Sequence, residues 1–159
     1  MEESYSTEIE NLEDLNKYLN KEIGISDWFE MTQDKVNSFA ELTQDKQWIH
    51  IDQEKAKLYS PYKKTIAHGF HVLSFASQVV FQTLKINNVA LDVNYGLENV
   101  RFPNATPAES KFRGKVSLKN IEDVEGGAKY TFKIVFEVEG ETKPVCVAET
   151  ISLIYSMPN

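Results

Sequence analysis

Residues 68–84 carry Phe70, Val72, Leu73, Phe75, Ala76, Val79, Val80, Phe81 and Leu84 with almost no charge between them. On a 3.6-residue period these positions fall on nearly every face, and a helix that is apolar all round is a buried one. Seventeen residues of helix rise roughly 25 Å, and Ser74, Ser77 and Gln78 interrupt the run, so it suits a protein core better than a membrane. From Val89 the period changes to two. Tyr130, Phe132, Ile134, Phe136 and Val138 alternate with Lys129, Thr131, Lys133, Val135 and Glu137. Lys111–Leu118 and Val145–Tyr155 also read as strands, and Gly126-Gly127 and Gly140-Glu141 mark hairpins. One buried helix followed by long antiparallel strands calls for an α+β fold: a curved antiparallel sheet wrapped around a long central hydrophobic helix.

The first third of the chain is made of shorter pieces. Residues 1–6 read as a loose N-terminal tail, and residues 7–159 as one domain. Ser6 and Thr7 can cap a helix whose stripe is Ile9, Leu12, Leu15, Leu19 and Ile23, with Gly24 as its stop. Trp28–Met31 reads as a short strand leading to Thr32, a cap for a second helix carrying Val36, Phe39, Ala40 and Leu42. Asp52 can cap a third, which runs to Tyr59 and ends at Ser60-Pro61.

Between the second and third helices lie Asp45 and His50, and Ala67-His68-Gly69-Phe70 follows some 20 residues later. An Asp and a His close together can hold one water and move protons to and from it, and a backbone turn opening a helix can polarise a carbonyl. Positions five apart lie about 140° apart around a straight helix. On a strand they point to opposite faces, roughly 16 Å apart. Asp45 and His50 therefore meet only if a helix ends near Gln44 and the chain bends before His50. From spacing alone two readings stand: a shared-water pair, or a solvated loop carboxylate beside a packed or capping histidine.

The run from Phe39 to Asp52, Phe-Ala-Glu-Leu-Thr-Gln-Asp-Lys-Gln-Trp-Ile-His-Ile-Asp, resembles the hydratase-2 motif of the MaoC-like family, and within it the nodulation-protein-N-like branch. Thr65–Phe70 resembles the second family signature and Tyr95–Pro103 the third block. The resemblance implies a hot-dog fold, edge-to-edge homodimers, and (R)-specific hydration of trans-2-enoyl-CoA thioesters to (R)-3-hydroxyacyl-CoA, or the reverse dehydration, as in fatty acid metabolism. It places Asp45 and His50 as the catalytic pair on the attacking water, without saying which is acid and which base. Gly69 matches the backbone N–H at the thioester oxygen. Gln47 stands where many members have a site-holding Asn, and Ser77 where some place a serine near the substrate. Two departures stand out: Gln44 replaces a common Gly, and Trp48 a common Pro. The Trp48 ring either walls the acyl pocket or packs against the sheet. The same fold leaves two competing functions open, an acyl-CoA thioesterase and a non-catalytic acyl-thioester-binding subunit.

The 159 residues are 42% apolar and 26% charged with a formal net charge of −7, the make-up of an ordinary globular domain. No basic patch for a nucleic acid is visible. No apolar run reaches the length of a membrane span, and residues 1–16 are strongly acidic, so the expected location is cytoplasmic. A coenzyme A or acyl-carrier thioester is polyanionic, and a local cluster is needed to receive it. Lys63-Lys64, or Arg101, Lys111, Arg113 and Lys115, are the candidates. Single Cys146 reads as a small buried hydrophobe. His68 reads as structural and His71 as a satisfied core histidine. Three histidines and one cysteine without metal-ligand spacing, no Gly-rich phosphate loop and no Gly-x-Ser-x-Gly elbow give an expectation of no metal and no cofactor.

Overall fold

The computed structural model describes residues 2–157. Met1 of the expected tail, and residues 158 and 159 at the end of the expected domain, lie outside them. A six-stranded antiparallel sheet is built from β2 (Glu22–Ile25), β3 (Phe29–Met31), β5 (Val89–Arg101), β6 (Ser110–Val124), β7 (Gly127–Val138) and β8 (Cys146–Ser156). Its order is β2-β6-β7-β8-β5, with β3 beside β2 on the same edge of β6. The expected alternation holds on β7, where Tyr130, Phe132, Ile134, Phe136 and Val138 are all buried. These side chains line the concave face, and the central helical segment packs into it through Val72, Leu73, Val79 and Val80.

The two layers approach closely at Gly114 of β6. A Cβ there would sit 2.5 Å from Val79 Cγ1. Glycine is required because helix and strand are nearly in contact. Cys146 lies in the same core, as expected, and burial pushes its thiol up to about 12.

Three expectations need correcting. The central helix is two helices, α4 (Gly69–Ser74) and α5 (Ala76–Thr83), joined at Phe75. There the Phe75 N–H donates to Val72 O instead of one residue further back, a 3₁₀ step, and Ser74 Oγ bonds His71 O at 2.6 Å. The Phe75 ring packs 5.1 Å from Phe29 and 5.0 Å from Phe112, so aromatic packing on the sheet takes over from helical regularity. Nor is the segment buried all round: Phe70 and Phe81 are 70% and 62% exposed.

The expected N-terminal helix is instead β1 (Thr7–Ile9), a 3₁₀ helix (Leu12–Tyr18) and β2. β1 pairs in parallel with β4 (Leu84–Ile86), which continues α5. Ile9, Leu12, Leu15 and Ile23 are buried, as their stripe implies, but from three elements held by long-range partners. Thr7 Oγ1, expected to cap a helix, donates to Ile23 O at 2.6 Å. The tail is not loose either. Tyr5 pairs with Ile25 and bonds Glu22 through its hydroxyl, and Glu2 O accepts from Arg113 Nη1 at 2.8 Å.

The short helices fall where their caps place them. Thr32 accepts from Lys35 N at the start of α1 (Gln33–Thr43), and Asp52 accepts from Lys55 N at the start of α3 (Gln53–Tyr59). α2 (Trp48–Ile51) lies between them.

Gly114→Ala is expected to cost about 1–3 kcal/mol by overpacking against Val79. Combining it with Val79→Ala should recover part of that loss. Urea unfolding of the single and double variants measures the coupling, and additive losses would mean that the two residues do not share the contact.

Candidate active site

α1 ends at Gln44, whose φ of 63° is left-handed, so the chain leaves the helix axis at once. Four residues later α2 begins and carries His50 back toward Asp45. The bend that spacing alone demanded is therefore present. Gln44, where many relatives have Gly, accepts the strained conformation and donates Nε2 to Glu41 O at 2.6 Å.

His50 is buried and its ring is oriented by the backbone. Nδ1 donates to Ile66 O at 2.7 Å, which fixes the proton there and leaves Nε2 with a free lone pair. Burial depresses its pKa below 6.5, and neighbouring His68 adds to this while the Ile66 carbonyl and Asp45 oppose it. The ring is the neutral, basic tautomer. His68 stacks on it with centroids 3.7 Å apart and donates Nε2 to the Asp45 backbone oxygen at 2.9 Å. The expected structural role of His68 thus takes a definite form: it ties the Asp45 loop to the turn that opens α4.

Asp45 itself is half-buried, and Gln47 Nε2 donates to its Oδ1 at 3.3 Å. Asp45, His50 and His68 each bring one ligand-capable atom within 4.8 Å of the others. The rings are stacked at 27° and one nitrogen of each serves a carbonyl. In-plane lone pairs on stacked rings run side by side instead of converging, which suits a shared water better than an ion.

Gly69 opens α4, so its N–H has no intrahelical acceptor. A Cβ at Gly69 would lie 2.9 Å from the Phe102 ring, which in turn meets Phe70 edge-on at 5.9 Å. Ser77 is not among the groups gathered at His50. It sits on α5, where its Oγ accepts from Asn94 Nδ2 of β5 at 2.9 Å, in a cleft of about 410 Å³ that begins at Phe70. Trp48 is half-buried with Lys55 5.1 Å over its ring, a packing contact.

Two further groups hold the site, and the sequence did not point to them. Gln33, the first residue of α1, is buried. It donates Nε2 to His50 O at 2.7 Å and to Asn37, and accepts from the Thr65 hydroxyl. The second is the Ile66 carbonyl. Residues 65–67 pair with 106–108 through Ala67 N→Thr106 O and Ala108 N→Thr65 O, so this carbonyl is presented on a fixed backbone. A polar residue just past a cap reads as solvated, and a carbonyl leaves no trace in sequence.

His71 departs from expectation. It is buried and stacks on Phe39 at 4.5 Å, yet its Nδ1 has no hydrogen-bond partner among the described residues. Burial, with His68 and Lys35 nearby, pushes it down to about 4. The charge cluster is also narrower than expected. Arg113 is buried on Glu137 at 2.7 Å and covers the Trp28 ring, and Lys115 pairs with Glu2 and Glu137. Lys63 and Lys64, with Lys57, line a groove bounded by Thr65 and Glu109, and Arg101 and Lys111 likewise join no ion pair among the described residues, Arg101 bonding only Val100 O.

A curved antiparallel sheet holding a broken helix defines a hot-dog protein, and Asp45, His50 and His68 gather beside the residue that opens the helix. Residues 14–139 match the MaoC like domain, and the chain belongs to that family. It is 43% identical over 143 residues to 3-hydroxyacyl-thioester dehydratase Z of Mycobacterium tuberculosis, covering 89% of this chain and 94% of the relative. To Nodulation protein N of Rhizobium leguminosarum bv. viciae it is 34% identical over 152 residues, covering 94% of each. The crystal structure of a MaoC-like dehydratase from Rhodospirillum rubrum superposes with a TM-score of 0.76 at 18% identity, over 94% of this chain and 99% of that one.

Gly69→Val is expected to displace Phe102 and to crowd the N–H, lowering turnover by about 10²-fold or more. Circular dichroism must show a folded variant, and a folded, fully active Gly69→Val would remove the N–H from the site.

His71 also sets a pH dependence. Between its unfolded value near 6.5 and about 4, the unfolded chain binds a proton that the folded one refuses. Stability is then lost as pH falls through that window, by up to roughly 3 kcal/mol. His71→Leu should flatten this slope in denaturation curves taken at pH 7 and pH 4.5. An unchanged slope would mean that His71 is not the group responsible.

Proposed function

We propose that the protein is a hydro-lyase that adds water to trans-2-enoyl thioesters to give (R)-3-hydroxyacyl thioesters, or runs the reverse dehydration, with the acyl group carried on coenzyme A. The observation that supports this most directly is the convergence of Asp45, His50 and His68 within 4.8 Å of one another, with Gly69 opening α4 immediately after His68. The name of the mycobacterial relative supports the substrate class.

In the hydration direction a water is held between the Asp45 carboxylate and His50 Nε2. The water oxygen bonds C3 of the enoyl group while His50 Nε2 takes one of its protons. The C2=C3 electron pair moves toward the thioester oxygen, and the Gly69 N–H stabilises the enolate that forms. The enolate then collapses and C2 takes the proton back from His50, so H and OH arrive from one side. Asp45 orients the water and stabilises the transient imidazolium. The Ile66 carbonyl keeps Nε2 aimed at the substrate throughout. The protein's own groups complete this cycle with the carrier on the substrate.

Lys63 and Lys64 join no ion pair among the described residues and lie a few residues before Gly69, in a groove with Thr65. They suit a phosphate-bearing carrier. β5 ends the sheet with thirteen residues and exposes Leu91, Val93 and Tyr95. A long apolar edge of this kind supports pairing with a second copy, β5 against β5 about a two-fold axis. Among the described residues no helix is long and apolar enough to cross a membrane. A cytoplasmic location accords with that and remains part of this proposal.

Asp45→Asn and His50→Ala should each lower turnover by about 10²–10⁴-fold. Their effects should be far from additive, because both act on one water. The acid limb of kcat/KM should fall below pH 6.5, since burial lowers the His50 pKa. The assay follows loss of enoyl-thioester absorbance together with free thiol. Absorbance lost without thiol supports the hydratase. Thiol release marks a thioesterase, and neither signal marks a binding subunit.

A further inference from the structure

The cleft that begins at Phe70 changes character along its length. Its Phe70 end is mainly apolar, walled by Phe70, Leu73 and Leu97 with Ser74 and Tyr95 beside them. Beyond the Asn94–Ser77 hydrogen bond it narrows to about 30 Å³ between α5 and the sheet, and the lining turns polar, with Asp92, Asn94, Thr150 and Ser152. Ser77 lies eight residues along the helical segment from Gly69, roughly 12 Å of rise.

The register shows how unusual this lining is. Ser152 stands opposite both Tyr130 of β7 and Asn94 of β5, and Thr150 opposite Phe132. All of them face the concave side, where the neighbouring β7 positions are wholly apolar. Asp92 and Asn94, two apart on β5, share that face. Ser152 and Thr150 are 5% and 8% exposed. Burial raises the Asp92 pKa, with only the Ser152 hydroxyl opposing the rise. Polar groups placed in an apolar wall cost desolvation, and the fold has no need of them there. An alkyl chain pushed between them would shut them off from water with only their mutual bonds, Asn94 to Ser77 and Ser152 to Asp92.

Taking the acyl-thioester reading as its basis, we propose that this cleft selects acyl groups that carry a hydroxyl or carbonyl beyond the reacting carbons, with Asp92, Asn94 and Ser152 as hydrogen-bond partners. The apolar half accommodates the methylenes next to the thioester, and the narrow polar half accepts the distal oxygen. A site built to hydrogen-bond an oxygen rejects the isostere that lacks it more strongly than an apolar pocket rejects an added one.

The test compares kcat/KM for two trans-2-enoyl coenzyme A thioesters of equal chain length, one ending in methyl and one in a primary hydroxyl. The wild-type protein should favour the hydroxylated chain by about 10-fold. Asp92→Leu and Asn94→Leu should each bring the ratio to one or invert it, while Asp92→Asn, which keeps a hydrogen-bonding group, should preserve the preference. A wild-type ratio at or below one overturns the proposal, and so does an unchanged ratio in a folded Asp92→Leu variant. If Asp92→Leu fails to fold, the wild-type ratio decides alone. Absence of turnover on both thioesters would count against the hydro-lyase reading itself, and turnover with the wrong preference only against the polar cleft.

Discussion

The seating of α4 and α5 in the concave face of the sheet is the constraint on which everything else rests. A curved sheet with Phe112, Phe132, Ile134 and Phe136 on one side has no stable form until that side is covered. Gly114 lets Val79 approach β6, and Phe75 anchors the break between the two helices on Phe29 and Phe112. Once the helical segment is placed, its entrance at Gly69 has a fixed position, and so does the turn before it. The loop that carries Asp45 and His50 has only to be brought to that entrance.

Backbone carbonyls do most of the bringing. Ile66 O orients His50, Asp45 O accepts from His68, and His50 O accepts from Gln33. Each bond satisfies a polar group that the packing has buried, and each also positions a side chain for chemistry. This economy explains why a short, irregular stretch between α1 and α3 can be held firmly without regular secondary structure. Its cost shows at His71 and His68, each of which leaves one ring nitrogen unpartnered among the described residues. For His71, burial opposes protonation, so its neutral ring is built into the packing.

The outer surface carries the complementary pattern. Phe70, Phe81 and the β5 edge expose apolar side chains that an isolated subunit would ordinarily cover. The cleft between α5 and β5 combines an apolar entrance with a polar end. Both features lie on the side of the sheet away from the tied-down N-terminus, where Glu2, Glu22 and Glu137 hold Tyr5, Arg113 and Lys115. The acidic and basic groups at that end are taken up in structural pairs, whereas Lys63 and Lys64 line a groove beside Thr65.

Much of this was legible in the residues alone. The period-two run from Lys129 to Val138, the caps at Thr32 and Asp52, the need for a bend after Gln44 and the matching blocks from Phe39 to Pro103 all depend on local spacing. Local spacing determined the sheet, the short helices and the family. What it could not determine depends on residues far apart in the chain. Ile9, Leu12, Leu15 and Ile23 fit one helix by period, but β4 and β6 offered the segments of Ile9 and Ile23 strand partners and left only a 3₁₀ helix at Leu12 and Leu15. The 68–84 helix broke at Phe75 because two distant rings drew it to the sheet. Gln33 and the Ile66 carbonyl entered the site through hydrogen bonds spanning 17 and 16 residues. Sequence determined which groups this protein has for handling water and a thioester. Only the tertiary structure decided which of them meet, because a backbone carbonyl or a distant ring acts on a side chain through space and leaves no periodic mark along the chain.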